Sequence, residues 1–401
     1  MIKSKIMIKI KTSYLFLLLI YLISFFLLAR NTIFSKTLKW NTYSYSEYLI
    51  SYPDKFIRRG LWGEVLGIIY KNEPLFKGLN LTVFFVNALF LLSIYFLFKK
   101  YKIDNNFLTL LLLSSMGFFQ FVFYGNFYFR KDIFYINYFI FFIILNYLED
   151  QNKLNSKLVD IYSILFIIPI ALIHEGYLLV VTPFVYKVLK NKRNKFHNLY
   201  FLFCLLLFIF LILSQGNSED ALKVWNDLSV FDKSFLQGFS ASAISFIGYD
   251  FDYFISNNYN GIIMLDSGDV FKWLFIIFYY LSFYSLFFSN GNLFNFKNYL
   301  IKKFNGEYYF LTISILFFFI FDWGRLLNTI FYILLLYLIY DSDQNFSNFR
   351  ESSHTSTFKF FVFMTLFTII PDRGWQDFSY SKKFVDTLEE IQTIFLTFYN
   401  L

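Results

Sequence analysis

Apolar runs that approach the length of a membrane crossing recur along almost the whole chain of 401 residues. A transmembrane helix needs about 20 predominantly apolar residues, because lipid offers the backbone no hydrogen-bonding partner. Only 16% of the residues are charged, whereas about 25% is usual in soluble proteins. The sequence therefore predicts an all-α, polytopic integral membrane protein whose residues 1–401 form a single membrane domain. We expect eleven transmembrane helices, at 13–29, 79–98, 106–122, 133–148, 158–173, 177–189, 198–214, 273–289, 308–321, 326–340 and 358–370.

The basic residues predict how these helices are oriented. Four lysines precede the first apolar run, and the segment 28–31 at its end is a poor signal-peptide cleavage site. We therefore expect the first run to be an uncleaved span with its N-terminus in the cytoplasm. The short basic loops at 99–102 and 187–195 are typical of cytoplasmic loops. This orientation predicts a multi-pass membrane protein whose short lysine-rich loops lie in the cytoplasm.

Two long segments fall on the periplasmic side in this topology. Residues 30–78 form the first, and its part 61–70 is too short to cross, so we expect an interfacial or re-entrant helix there. Residues 215–272 form the second and contain an acidic and aromatic stretch at 249–254. Aromatic rings stack on sugar faces and carboxylates bind hydroxyls, so this loop is suited to a sugar. A loop without fixed structure is the alternative.

Composition and motifs disfavour several classes of function. The chain has a single cysteine and three dispersed histidines, which argues against disulfide and zinc chemistry. It lacks a Walker loop and a Gly-x-Ser-x-Gly elbow, so an ATP-driven pump and a serine hydrolase are disfavoured. The net charge of +8 comes from lysines scattered in short loops, which does not indicate nucleic acid. The Asp-x-Asp triplets at 250–252 and 341–343 are weak metal motifs, and we expect neither a metal nor a cofactor.

Five charged clusters lie at the ends of apolar runs, and the predicted topology places all of them on the periplasmic side. Charge near hydrocarbon is costly, so this convergence predicts a shared polar site. The clusters are Arg58-Arg59-Gly60, Arg130-Lys131-Asp132, His174-Glu175-Gly176, Asp322-Trp323-Gly324-Arg325 and Asp372-Arg373-Gly374.

Arg58 and Arg59 are suited to binding a diphosphate, because each guanidinium is always charged and offers a planar fork of donors. Gly60 would let the backbone approach such a ligand closely. Since adjacent residues on a helix do not share a face, we expect one arginine, Arg59, to be the sensitive one. Anchoring of the loop to lipid headgroups is the alternative.

Glu175 lies with His174 in a stretch that is otherwise almost wholly apolar. A carboxylate near hydrocarbon should have a raised pKa unless a cation pairs with it, which suits a general base. A buried structural ion pair with Arg59 or Arg325 is the alternative. The pair also separates two short apolar runs, which predicts two helices meeting at a polar break. A single kinked helix with a re-entrant tail would instead reverse every later loop.

In layout and in three of its clusters the chain resembles bacterial O-antigen or capsule repeat-unit polymerases, and more broadly polyprenyl-phosphate-dependent glycosyltransferases of multi-span fold. The motifs that carry this resemblance are Arg58-Arg59-Gly60-Leu61, His174-Glu175-Gly176 and Asp322-Trp323-Gly324-Arg325. The resemblance implies a polyprenyl-diphosphate-linked oligosaccharide as donor and a second such lipid as acceptor. It also implies membrane lipid and a chain-length regulator protein as partners, and neither a nucleotide nor a strictly required metal.

We therefore expect a glycosyltransferase of lipopolysaccharide or capsule synthesis that works at the periplasmic face. The expected catalytic residues are Glu175, with Asp54 as second carboxylate, and His174. The expected substrate-binding residues are Arg58, Arg59, Arg130, Asp322, Arg325 and Arg373. Asp322 and Arg325, three residues apart, could instead neutralise each other. A flippase or transporter for a lipid-linked glycan is the alternative function, although it would need charges along a path through the membrane. A non-catalytic scaffold is the third.

Overall fold

The computed structural model describes residues 42–70, 75–100, 131–193, 195–236, 238–240, 242–249, 293–305, 311–316 and 323–341, with a few single residues outside these ranges. Every regular element in this part of the chain is helical, which confirms the all-α class. The α-helices are α1 Thr42–Tyr48, α2 Leu61–Ile69, α3 Leu75–Lys100, α4 Asp132–Asp150, α5 Ser156–Leu165, α6 Ile167–Ile173, α7 Leu178–Lys190, α8 Phe196–Leu213, α9 Ser218–Asp227, α10 Val230–Ser234, α11 Leu293–Phe304, α12 Leu311–Leu316 and α13 Trp323–Asp341. Two 3₁₀ helices, Glu175–Tyr177 and Ala243–Gly248, complete the described elements.

Helices occupy the predicted apolar runs wherever the structure describes them. Among the described residues, four helical segments are long and apolar enough to cross a membrane, at 77–97, 132–150, 156–173 and 196–213. The shorter helices α7 and α13 cover two more predicted runs, and α12 covers part of a third. The predicted runs at 13–29, 106–122, 273–289 and 358–370 lie outside the described ranges.

The chain reverses direction between α6 and α7. Arg193, just after α7, donates from Nε to Asp160 Oδ1 near the start of α5 over 2.7 Å. Lys192 Nζ lies 2.6 Å from Asp150 Oδ1 at the end of α4. The helix α7 therefore returns to the end of the bundle from which α5 started. A single kinked helix would not bring these residues together, so the structure favours two helices that meet at a break.

The same contacts define two ends of the helix bundle. The basic end is formed by residues 187–193, where Lys187 and Lys190 also bind Glu307 at 2.7 and 2.9 Å. Asp341, at the end of α13, forms an ion pair with Lys303 of α11. Tyr340 places the end of α13 beside the basic end, because the Lys192 ammonium lies 5.6 Å from its ring centroid. The first residues of α13 therefore point to the opposite end, where α6 meets α7.

The second long segment is folded between residues 215 and 249. Asn217 and Asp220 form a capping box at the start of α9, with bonds of 2.9 and 2.7 Å, so two otherwise unpaired backbone amides are satisfied. The 3₁₀ helix that begins at Ala243 packs on α1, and the Ala243 amide donates to Ser46 Oγ of α1 over 2.7 Å. The two long segments thus pack against each other. The aromatic and acidic stretch at 250–254 lies outside the described residues.

Candidate polar site at a helix break

The polar break between α6 and α7 is held by its own histidine and a neighbouring tyrosine. His174 adopts an extended backbone with φ −162°, which ends α6. Its Nδ1 accepts from the amide of Gly176 over 3.0 Å, so the imidazole caps the 3₁₀ turn. The Tyr135 hydroxyl of α4 donates to the His174 carbonyl. These bonds satisfy backbone groups that the helix ends leave unpaired, and they give His174 a structural role.

Arg59 binds Glu175 across the break. Its Nε donates to both carboxylate oxygens, over 3.1 and 2.9 Å, and its Nη2 donates to Oε1 over 2.8 Å. The Glu175 residue is 3% exposed. This is the buried ion pair that the sequence left open as an alternative to a catalytic base. A fork of donors on one carboxylate also fixes the orientation of both side chains.

Arg58 converges on the same carboxylate. Its Nη1 lies 3.4 Å from Glu175 Oε1, and its amide donates to the Ser214 carbonyl at the end of α8 over 2.9 Å. Arg59 has φ 67°, a left-handed conformation that is uncommon outside glycine. Residues 58 and 59 therefore form a turn. The expectation that adjacent arginines would face different ways was wrong for this reason.

The two guanidinium groups lower the pKa of Glu175. Burial by itself would raise this pKa, but Arg59 and then Arg58 stabilise the ionised carboxylate more strongly. The residue lies outside the four candidate membrane-spanning segments. The raised pKa expected of a lone carboxylate therefore does not apply while the arginines are in place. In this arrangement Glu175 fixes the positions of the Arg59 and Arg58 guanidinium groups.

Two further charged residues complete the site, and sequence reasoning did not single out either as a ligand. Lys131, at the start of α4, is fully buried and donates from Nζ to the carbonyls of Glu47 and Ile173 over 2.7 and 3.1 Å. Glu47 of α1 places Oε1 3.7 Å from Arg59 Nη1. A lone acid in the aromatic stretch 43–48 was the available signal for Glu47, because charge amid apolar residues needs a partner.

Asp54 lies away from this cluster, at the protein surface. Its side chain is 84% exposed and lies 3.1 Å from Lys223 Nζ of α9. Such an exposed pair contributes little to stability, because solvent and salt screen it. Gly60 also differs from expectation, because a Cβ there would lie 2.3 Å from a ring carbon of Tyr52. Its missing side chain therefore makes room for an aromatic ring of the protein itself.

The remaining expected residues are only partly placed. The backbone of Arg325 lies in the first turn of α13, at the end of the bundle where α6 meets α7. Arg130, Asp322 and Arg373 lie outside the described residues. Within the described part of the chain there is no group of three His, Cys, Asp or Glu residues that could hold a metal ion.

Comparison with known proteins gives one family match. The model of a family described as "Uncharacterised membrane protein Rv1490" matches residues 14–183, a range that includes Arg58, Arg59 and Glu175. No curated protein and no solved structure matches the chain. Together with the four helices that are long and apolar enough to span a bilayer, this match identifies the chain as a membrane protein.

Proposed function

We propose that this chain is an integral-membrane glycosyltransferase that polymerises or transfers polyprenyl-diphosphate-linked oligosaccharide units. The observation that carries the proposal is the pair of arginines, Arg58 and Arg59, that converge on the buried carboxylate of Glu175 beside a helix break. Clustered guanidinium groups are suited to a diphosphate because each offers a planar fork of donors to phosphate oxygens. The site also adjoins both long segments of the chain, since Arg58 bonds to Ser214 and Glu47 lies beside Arg59.

The proposed topology has eleven spans in a bacterial inner membrane, with both long segments and the arginine site on the periplasmic side. The alternating directions of α4, α5 with α6, α7 and α8 support it. The separation of the basic end from the arginine site supports it as well, since cytoplasmic loops are enriched in lysine and arginine. The process served would be the synthesis of O-antigen or capsule, with a chain-length regulator protein as partner.

The donor diphosphate would bind by exchange of arginine partners. Arg58 and Arg59 leave Glu175 in part and turn toward the phosphate oxygens, where they stabilise the negative charge that builds on the leaving group. Arg325, which begins α13 at the same end of the bundle, is a third proposed contact. Arg130, Asp322 and Arg373 are proposed to line the same face.

This exchange would also activate the base. Once the guanidinium groups turn to the diphosphate, Glu175 is a buried carboxylate with less positive charge around it, and its pKa rises. It then accepts the proton of the acceptor hydroxyl, whose oxygen bonds to the anomeric carbon of the donor. The bond from that carbon to the diphosphate oxygen breaks, and polyprenyl diphosphate leaves. His174 keeps the break in place.

The test uses the conservative variant Arg59→Lys in cells that lack the chromosomal copy. A lysine keeps the charge but cannot form the forked contacts of Arg59 with a carboxylate or a diphosphate. Losing one or two charge-assisted hydrogen bonds, each worth about 1.5–3 kcal/mol, should lower polymer formation at least tenfold. The measurement is the length distribution of surface polysaccharide, with accumulation of single lipid-linked units.

Arg193→Lys is the matched control, because Arg193 also binds two carboxylates, Glu149 and Asp160, but does so at the basic end. We expect it to make full-length polymer. Full-length polymer from Arg59→Lys at normal protein level would contradict the proposal. Accumulated units that a periplasmic probe cannot reach would instead favour the flippase.

A further inference from the structure

Two buried polar atoms beside the arginine site have no hydrogen-bond partner within the described part of the chain. They are Glu47 Oε2 and Trp62 Nε1, and the Glu47 residue is only 2% exposed. Buried polar atoms in native structures are almost always paired, so each such atom calls for an explanation. One of these atoms is an acceptor and the other is a donor.

The Glu47 backbone and the Trp62 ring both lie beside the start of α4. Lys131 Nζ donates to the Glu47 carbonyl over 2.7 Å, and one turn later the Phe134 ring packs on Trp62 with a centroid distance of 6.1 Å. The segment that follows α1 packs directly on α2, since a Cβ on Gly63 would lie 2.0 Å from the Ile50 carbonyl oxygen. Glu47 Oε1 lies 3.7 Å from Arg59 Nη1, and Trp62 follows Arg59 by three residues in the chain, so both residues lie next to the arginine site.

We infer that Glu47 and Trp62 form a subsite for a hydroxyl group of the glycan carried by the lipid diphosphate. A hydroxyl donates one hydrogen bond and accepts others, so one hydroxyl or two neighbouring hydroxyls complement this acceptor and donor. The inference rests on the proposed function, because it takes the diphosphate to be held by the arginines. The sugar attached to that diphosphate would then lie next to them.

Arg59 connects the two parts of this site. Its Nη1 lies 3.7 Å from Glu47 Oε1, and its side chain is 23% exposed. Movement of this guanidinium toward a phosphate uncovers the Glu47 carboxylate for the hydroxyl. A site whose buried polar atoms need a hydroxyl rejects a ligand that lacks one, because those atoms then stay unpaired.

The experiment compares two probes with the full chain in lipid nanodiscs. The probes are undecaprenyl diphosphate and the same lipid carrying one N-acetylglucosamine, and native mass spectrometry measures the affinity of each. We expect wild type to prefer the sugar-bearing lipid about tenfold, the equivalent of one hydrogen bond to a charged group. Trp62→Phe should remove most of this preference while binding of undecaprenyl diphosphate changes less than about twofold. Glu47→Gln, which also alters a contact of Arg59, should remove the preference and change the affinity for both probes.

Glu64→Gln is the matched control, because Glu64 is a nearby glutamate whose Oε2 already accepts from the Tyr52 amide over 3.2 Å. It should keep the preference. If Glu47→Gln does not fold, Trp62→Phe decides, since it keeps an aromatic ring and removes the N–H. Equal affinity of wild type for the two probes, or an unchanged preference in Trp62→Phe, overturns the subsite. Failure of wild type to bind undecaprenyl diphosphate overturns the proposed function itself.

Discussion

Glu175 is the residue on which the neighbouring cations converge, and its surroundings differ from what its sequence context suggests. In the sequence it is a lone acid in an apolar stretch, and in the structure Arg59 donates to it three times. The sequence could indicate that Glu175 needs a partner. The sequence could not identify that partner among several arginines. The choice depends on a turn at residues 58–59 in which Arg59 has a left-handed φ, and the residue types in this turn do not predict that conformation.

We predict that Glu175→Gln destabilises the protein by about 3–5 kcal/mol near neutral pH, because it leaves two partly buried guanidinium groups without their anion. The folded-state pKa of Glu175 is lowered, so its stabilising effect is present above the unfolded value of about 4.3 and is lost as pH falls through the folded value. The difference in thermal stability from wild type should therefore be constant between about pH 6 and 8 and shrink below about pH 4.

The double variant Arg59→Gln/Glu175→Gln separates structure from catalysis. It removes both charges, so we expect it to recover much of the stability lost in Glu175→Gln. Polymer formation should stay absent, because the arginine and the base are both missing. Recovery of polymer formation in the double variant would show that the pair serves folding alone.

At the scale of helices, the apolar runs of the sequence predicted helix positions better than its polar segments did. Runs such as 133–148 and 198–214 coincide with α4 and α8 within a few residues, since length and hydropathy alone require a helix in lipid. The helix α9 was not predicted, although Asn217 and Asp220 have the spacing of a capping box. Its sequence is mostly polar, and it packs on the 3₁₀ helix Ala243–Gly248, a contact that local sequence does not show.

We predict that Asn217→Ala lowers the stability of α9 by about 0.5–2 kcal/mol, because the amide of Asp220 loses its acceptor. Hydrogen exchange should become faster at residues 218–227 and stay unchanged in α7. Arg58 bonds to Ser214, which precedes α9 and is not part of the helix that the variant loosens. Polymer formation should therefore fall modestly at most. Unchanged exchange at 218–227 would mean that tertiary contacts alone hold α9.

At the scale of the whole molecule, the described helices have two distinct ends, the basic end and the end that carries the arginine site. Alternating apolar runs and basic loops predicted this separation. Lys192 and Arg193 contact the end of α4 and the start of α5, as the predicted alternation requires. What the sequence could not provide is the packing of the two long segments on each other. That packing depends on pairs far apart in the chain, such as Tyr45 with Asp232 at 3.0 Å.

Topology can be tested with single cysteines. The native Cys204 is buried, so Cys204→Ala gives a suitable background. Asp54→Cys should react with a membrane-impermeant maleimide in intact cells, because that side chain is 84% exposed in the proposed periplasmic segment. Asn191→Cys at the basic end should react only after the membrane is permeabilised. Labelling of both in intact cells would refute the proposed orientation.

The shortness of α7 has a consequence for how a lipid reaches the arginines. Thirteen residues rise about 20 Å, whereas the hydrocarbon layer is about 30 Å thick. The 18-residue segment 156–173 rises about 27 Å from the same end, so if the basic end lies at one headgroup layer, Glu175 lies about 3–10 Å below the other. A phosphate on a long isoprenoid would then be drawn from its leaflet into the hydrocarbon layer, entering sideways with its tail still among the acyl chains. Water-soluble nucleotide sugars have no such route, so depth alone would select for lipid-borne donors.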